Sequence, residues 1–582
     1  MQFLKSIVFI VIGLLLMAAS GKVKSDHTQF PQIANALAVS YPTPLIDVIA
    51  NPKGLLVPAS FLGLHLNRWS DNAAFGLGEL SMPGIVTIAD GAAYFTSING
   101  HTFYYYRSGA KVKLAGMGAD GADFTTTISA LLTPSGQYPT VARLAVAPPK
   151  TGSGTIQSPV YLPTFGYGAV RSHSSGVNWA SLHPADGVFN AKLMSAWVTR
   201  HAGKKLMFTM TGTPEWLAAS NLVSTARSVV DNVATINHVA LPFAIPAGSK
   251  VKVRNCANAA FNGEWVIVSS TTTSTSFSVT TANENVVGDS TTELLLWGND
   301  GGYGYMNPPK DFSKVNAFIS WLMSNYGNKI TWIEGPNEAN SGHTIDGKIA
   351  YFRGQGLWWA GTFEELGEMM RRVNVTAKAI NPAVLIGAPS ITGLHNGQPI
   401  NQSLSNRANG YQLLSAGDGA KGKLVDWVDF VPFHIYDIGA AWQLTGAEHR
   451  TIYDILTYFR QMLKSPEINK PNIPIYMNEG GFEHYGNYSS SAKLYLDALP
   501  AKQQANEIFK IAAIYAGSGV KGFYPFASGF LGDYETSPEI AAVYDKINAR
   551  IAGKTIHPDA GFNKETGAMH FKTTDGFEEY IP

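Results

Sequence analysis

From residue 166 onward the sequence alternates between short apolar runs and longer amphipathic stretches, and this rhythm limits the possible folds more than any other feature. The runs are rich in β-branched and aromatic residues, as strands are. Gly166–Arg171, Lys205–Met210, Ile330–Glu338, Val384–Pro389, Trp427–Tyr436, Ile473–Glu479 and Val520–Phe526 are of this kind, and Phe61–Arg68 makes an eighth. Between them, Lys192–His201, Asp311–Tyr326, Phe363–Ile380, Thr451–Leu463 and Ala501–Ala516 read as helices, the third stopped by Asn381-Pro382. Repeated βα units imply a parallel sheet, and eight of them close into a barrel. The expected fold class is α/β: a (β/α)8 TIM barrel with two inserted β-rich subdomains.

The insertions are where the rhythm breaks. Residues 71–157 are rich in Gly, Thr and Ser with short β-prone pieces such as Thr102–Arg107. A loop of that length without structure of its own is improbable. Residues 218–302 are dense in Val, Thr and Ser, with alternating runs at Gly248–Val253, Phe261–Val268 and Ser276–Thr280. Their spacing resembles a small β-module common in phage and bacterial surface proteins, so a carbohydrate- or surface-binding role is one expectation. The barrel is then expected over 61–70, 158–217 and 303–555, with 556–582 as a C-terminal tail.

Two of the apolar runs end on a carboxylate. Ile330-Thr-Trp-Ile-Glu-Gly-Pro-Asn-Glu338 and Ile473-Pro-Ile-Tyr-Met-Asn-Glu479 each deliver a glutamate to the C-terminal end of a strand, where barrels build their active sites. Strand order makes these the fourth and seventh of the series.

Composition excludes several other chemistries. The net charge of +1 argues against a nucleic-acid partner held by phosphates and against a polybasic membrane anchor. The single Cys256 excludes an internal disulfide framework and a Cys-rich metal site. Gly417–Lys423 has P-loop spacing, but Leu424 stands where the magnesium-binding Ser or Thr belongs. No metal site and no cofactor is expected.

The first residues have a different logic. Lys5 precedes the apolar run Ile7–Ala19, and Ala18-Ala-Ser-Gly21 follows, as in a secretory signal peptide over residues 1–21. The run is short for a membrane span, and a retained anchor is the alternative. Export with almost no cysteine suggests a bacterial periplasmic or extracellular protein with no integral span after signal removal. Oligomeric state is not legible.

Several segments together resemble a known family. Arg171-Ser-His-Ser-Ser-Gly-Val-Asn-Trp179, Pro184-Ala-Asp-Gly-Val-Phe189 and Thr211-Gly-Thr-Pro-Glu-Trp216 look like the second and third strand ends of clan A retaining glycoside hydrolases. The match continues through Trp332–Glu338, Phe433-His-Ile-Tyr436 and Tyr476-Met-Asn-Glu479, and it is most similar to glycoside hydrolase family 39. That family includes β-xylosidases and glycosidases acting on bacterial exopolysaccharides. The resemblance covers the barrel and neither insertion. Pro336 stands where the family more often has Trp.

The resemblance implies a double displacement on a poly- or oligosaccharide, with Glu338 as acid/base and Glu479 as nucleophile. It further implies that Asn337 bonds the sugar 2-hydroxyl and that Arg171 and Tyr436 hold Glu479, while His434 lines the sugar subsite. His434 and Tyr436 share one face of their strand, with Ile435 opposite. His173, Trp216, Tyr524 and Phe526 sit at strand ends as subsite candidates, with plain packing the alternative. Glu334, Glu215 and Glu483 read as surface charges, with tuning of neighbouring pKa values or binding of sugar hydroxyls the alternative. A transglycosylase using the same two glutamates, and a non-catalytic carbohydrate-binding surface protein, are the other functional readings.

Overall fold

The computed structural model describes residues 43–582 apart from 66–79, 99–110, 133–139, 159–165, 298–301, 342–357, 393–409, 445–451, 481–499, 526–537 and scattered positions of one to three residues. The expected signal segment, the Thr102–Arg107 piece, Tyr436, Glu483 and Phe526 lie outside the described residues.

Eight short strands organise the chain: β1 (Gly63–His65), β2 (Ala169–Arg171), β3 (Lys205–Thr209), β4 (Ile330–Glu334), β5 (Leu385–Gly387), β6 (Val431–Ile435), β7 (Ile475–Gly480) and β8 (Val520–Phe523). Five hydrogen-bond in the order β5-β4-β3-β2-β1 and three in the order β6-β7-β8. Every one of these pairings is parallel. Single parallel bridges join the two groups at both edges, Leu62 with Phe523 and Gly387 with Phe430. Strand contact therefore runs through all eight and returns to its start.

Helices follow the strands: α1 (Trp179–Leu182), α2 (Ala191–Arg200), α3 (Ser313–Tyr326), α4 (Phe363–Ile380), α5 (Gly410–Ser415), α6 (Ile452–Lys464), α7 (Ala501–Gly517) and α8 (Pro538–Arg550), of which α2, α3, α4, α6 and α7 fall where the periodicity predicts. Helix α4 shows why such boundaries are legible. Thr362 accepts from the Glu365 N–H while the Glu365 side chain returns to the Thr362 N–H, a reciprocal cap worth about 1 kcal/mol. Leu366, Met369, Met370, Val373 and Ala377 then form a buried stripe at helical spacing. Asn381-Pro382 ends it because proline cannot continue the hydrogen-bond ladder.

Strand alternation sorts the side chains into two sets. Leu64, Val170, Phe208, Ile333, Ile386, Phe433, Ile435, Met477 and Phe523 point outward into the main core shared with the helices. Ala169, Met207, Trp332, Phe430, Tyr476 and Tyr524 pack together inside the ring. Space there is tight: a Cβ added to Gly63 would fall 2.1 Å from the Tyr524 ring, so only glycine lets that ring lie against β1. One step further along six of the strands the inward residue is polar. Gly63, Ala169, Met207, Trp332, Pro432 and Tyr476 are succeeded two positions on by His65, Arg171, Thr209, Glu334, His434 and Asn478. Because all eight strands are parallel, these six polar side chains lie at one end of the ring.

The two expected insertions carry their own cores. Strands from Leu80–Ala89 to Gly152–Ser158 close a six-stranded antiparallel barrel around Val86, Phe95, Leu114, Ile128 and Ile156. Its first and last strands pair directly, Leu80 opposite Ser158. Strands between Leu222–Val230 and Glu293–Leu296 form a seven-stranded sheet around Ile236, Val251, Phe261 and Phe277, and again the outermost pair in sequence is hydrogen-bonded, Leu222 opposite Leu294. Arg254 of this sheet ties it back to the chain that precedes it, donating to the carbonyls of Glu215 and Ala218.

Residues 556–582, expected as a tail, are ordered structure instead. Gly561–Phe562, Met569–Lys572 and Glu578–Ile581 form an antiparallel sheet with Thr43–Pro44. Phe562, Met569, Phe571 and Ile581 are buried in the main core. Among the described residues, no helix is long and apolar enough to cross a membrane.

Candidate functional site

Arg171 is the hub of the polar end. It is fully buried, and its guanidinium reaches β4, β7 and, through His65, β1. Nε donates to Glu334 Oε1 at 2.5 Å, Nη1 to Glu479 Oε2 at 2.6 Å, and Nη2 to Asn337 Oδ1 at 2.7 Å. A buried cation of this kind persists only when its partners compensate it. Burial opposes its charge, but Glu334 and Glu479 outweigh that and hold the guanidinium above its ordinary pKa.

Glu334 is the first correction to the sequence reading. It is not a surface charge but has no exposure at all. Its carboxylate accepts from Arg171, from Thr209 Oγ1 at 2.7 Å and from the Asn478 amide. Burial pushes its carboxyl up, against the pull of Arg171 and Thr209. The signal was present in the sequence: Trp332 and Glu334 are two apart on β4 and share its inward face.

Glu479 sits beside Asn478, and alternation would send the two to opposite faces. A register shift resolves this. Phe433 pairs with Met477 but the next residue, His434, pairs with Glu479, so β7 carries one extra residue at that point. Such a bulge re-aims a side chain. Both Asn478 and Glu479 thereby reach the polar cluster.

Glu338 arrives differently. It lies past the end of β4, after Gly335-Pro336, in left-handed backbone at φ 43°. Its N–H donates to Ser390 Oγ at 3.0 Å, which ties this turn to the chain beyond β5. Its Oε1 meets His434 Nδ1 at 2.8 Å. Non-glycine residues at positive φ are costly and cluster at functional sites. Glu338, His434 and Glu479 each place one atom within 4.8 Å of the other two.

Three histidines surround this group. Burial, followed by Arg171 and neighbouring histidines, drives His65 and His173 well below the ordinary histidine value. Burial also lowers His434 to about 3 despite the nearby Glu479 carboxylate. All three are therefore neutral in the ordinary pH range. His65 Nε2 lies 2.9 Å from the His173 carbonyl, which fixes the proton on Nε2 and leaves Nδ1 to accept from Arg171 at 3.3 Å. His173 is next to His65 and packs edge-on against half-buried Trp358, with ring centroids 5.0 Å apart. Glu338, His434 and Glu479 have donor types that could ligate a divalent ion, but Arg171 already occupies the Glu479 oxygen nearest His434.

The structure thus brings together Arg171, Asn337, Glu338, His434 and Glu479, with His173 at the edge. It does not bring in Trp216, whose Nε1 donates to the His183 carbonyl and whose ring packs against His183. Nor is Tyr524 available to a ligand, since it is fully buried inside the ring. Glu215 pairs with Lys252 at 2.6 Å, as a surface charge would. Sequence reasoning missed His65, Thr209, Ser390 and Asn478. For His65 and Thr209 the inward period-2 positions carried the signal; for Ser390 and Asn478 a turn and a bulge hid it.

No protein-family description matches the chain, and no curated protein has a significant match. Solved structures do resemble it weakly. A glucosidase from Croceicoccus marinus aligns over 72% of this chain and 74% of its own, at 10% identity and a TM-score of 0.36. CelM2, a bifunctional glucanase-xylanase from a metagenome library, aligns over 69% of this chain and 80% of its own, at 13% identity and a TM-score of 0.35. A psychrophilic glycoside hydrolase family 10 endo-β-1,4-xylanase aligns over 62% and 78%, at 10% identity and 0.30. Likeness at this level carries no argument for fold, site or activity.

Proposed function

We propose that this chain is a retaining glycoside hydrolase on a (β/α)8 barrel, with Glu338 as acid/base and Glu479 as nucleophile. The ring of parallel pairings supports the barrel. The observation that carries the chemistry is the approach of a Glu338 oxygen and a Glu479 oxygen to within 4.8 Å. Retaining enzymes hold their two carboxyl groups roughly 5–5.5 Å apart, whereas inverting enzymes leave roughly 6.5–9.5 Å for a water.

In the first step a Glu479 oxygen attacks the anomeric carbon. The bond to the leaving oxygen breaks, and that oxygen takes the proton of Glu338. In the second, water attacks the glycosyl ester, gives its proton to the Glu338 carboxylate and frees Glu479. Neutral His434 serves Glu338 in both states, accepting from the acid or donating to the carboxylate according to its tautomer. Arg171 favours the ionised nucleophile through a charge-assisted bond. It also takes the Asn337 oxygen, which leaves the amide N–H2 for the sugar 2-hydroxyl.

The substrate in this reading is a poly- or oligosaccharide met outside the cytoplasm, with bacterial exopolysaccharide as the class suggested by the family 39 resemblance. The test is incubation with a panel of 2-deoxy-2-fluoro glycosyl fluorides, then peptide mass analysis. The expected result is a covalent sugar on Glu479. Hydrolysis of a glycan with inversion of anomeric configuration, and no adduct across the panel, sinks the proposal.

A further inference from the structure

In the double displacement just proposed, Glu479 changes charge. It begins as a carboxylate bonded to Arg171 at 2.6 Å and becomes a neutral ester. Arg171 does not change, because a guanidinium stays protonated throughout. It has no exposure through which water could compensate it. A buried cation left without a counter-charge is strongly destabilising. The half-reaction would therefore strand a charge, unless a second anion stays in place.

Glu334 is that anion. Among the described residues it is the other carboxylate bonded to Arg171, at 2.5 Å and through a different nitrogen, so it does not compete with Glu479 for a donor. Its remaining contacts, Thr209 Oγ1 and the Asn478 amide, are also donors, which suits the ionised form. It lies at the end of β4, below the reacting groups, and its exposure is zero, so it touches no substrate. Nothing in the two reaction steps uses it as acid, base or nucleophile.

We infer that Glu334 is a positioning residue whose fixed charge keeps Arg171 compensated while Glu479 is esterified. The resting site then holds one cation between two carboxylates, and the covalent intermediate holds a neutral Arg171–Glu334 pair. The arrangement costs some repulsion between Glu334 and Glu479 at rest. That repulsion raises the energy of the state from which the nucleophile attacks and is relieved as the ester forms. Glu334 therefore acts on ester formation, not on ester hydrolysis.

Removing its charge should reverse these effects. In Glu334→Gln, Arg171 faces Glu479 alone, so the resting state is better compensated and the intermediate worse. Inactivation by a 2-deoxy-2-fluoro glycosyl fluoride should slow by about tenfold or more, while reactivation of the trapped enzyme is unchanged or faster. A merely structural role would slow both half-reactions alike.

This inference rests on the retaining reading, and the two fail separately. If the wild type takes no sugar on Glu479, the retaining reading falls. If the wild type is labelled there but folded Glu334→Gln is inactivated within about twofold of the wild-type rate, the charge role of Glu334 is wrong. Circular dichroism establishes folding. If Glu334→Gln does not fold, Glu334→Asp decides: it keeps the charge but holds it further from Arg171, so inactivation should slow no more than a few-fold with reactivation unchanged or faster, and equal slowing of both half-reactions overturns the inference.

Discussion

Acidification from pH 7 to pH 5 should weaken the fold steeply, and four buried histidines set the size of the effect. His65 and His434 have no exposure and His173 has 3%. Each has its pKa lowered in the folded protein, His434 to about 3. In the unfolded chain each titrates near 6.5, so between those values the unfolded state binds protons that the native state refuses. Stability then rises with pH up to about 6.5 and is lost as pH falls below it. From pH 7 to pH 5 each such histidine removes about 2 kcal/mol; buried His183, lowered to about 4 by burial, is the fourth and brings the sum to about 8 kcal/mol. The groups facing the first three are Arg171, Glu338, Glu479 and one another, and Arg171 keeps its charge throughout. Glu334 works in the opposite sense, because burial raises its carboxyl and it gains stability on protonation. Any proton Glu334 takes over this range makes the net loss smaller than the histidine sum. Urea unfolding followed by tryptophan fluorescence at pH 7 and pH 5 measures it. His434→Gln should shrink the difference by about 2 kcal/mol, having removed one of the four sites. A difference below about 1 kcal/mol in the wild type would falsify the account of neutral buried histidines.

Other substitutions probe separate parts of the structure. Glu338→Gln should reduce turnover of substrates with poor leaving groups by roughly 10²–10⁴ and spare activated aryl glycosides, as steady-state kinetics on a leaving-group series will report. Gly63→Ala places a methyl 2.1 Å from the Tyr524 ring and should cost about 1–3 kcal/mol of stability in urea titration. Thr362→Ala removes the reciprocal cap of α4 and should cost about 1 kcal/mol, with no change in KM.

How much of this was legible in the sequence depends on what kind of geometry carried each residue. Strands and helices of the ring were legible because each repeats its own period. Helix α4, with its threonine cap and its proline stop, appears over the residues expected. His434 faces inward and Ile435 outward, as alternation requires. The same rule applied to Trp332 would have placed Glu334 inside, yet a lone charge near a turn reads as surface. Asn478 defeats the rule outright, because a bulge is a property of two paired strands and leaves no mark in one of them. Trp216 and Tyr524 take the packing alternative for a simpler reason. Position at a strand end says that a side chain is near the site, not that it is turned toward it. The strands of 556–582 are two to four residues long, too short for any period to show.

The inserted six-stranded barrel and seven-stranded sheet each begin and end on hydrogen-bonded neighbours, Leu80 beside Ser158 and Leu222 beside Leu294. To the surrounding chain, a folded module with adjoining ends is a tether a few residues long. Loop-closure entropy grows with the length of free chain, so once the module has folded the strands on either side meet at little extra cost. Local antiparallel pairing also forms sooner than pairings distant in sequence. The parent ring would then assemble around cassettes already closed, and a cassette could be enlarged, replaced or lost over evolutionary time without changing the distance its neighbours must cover.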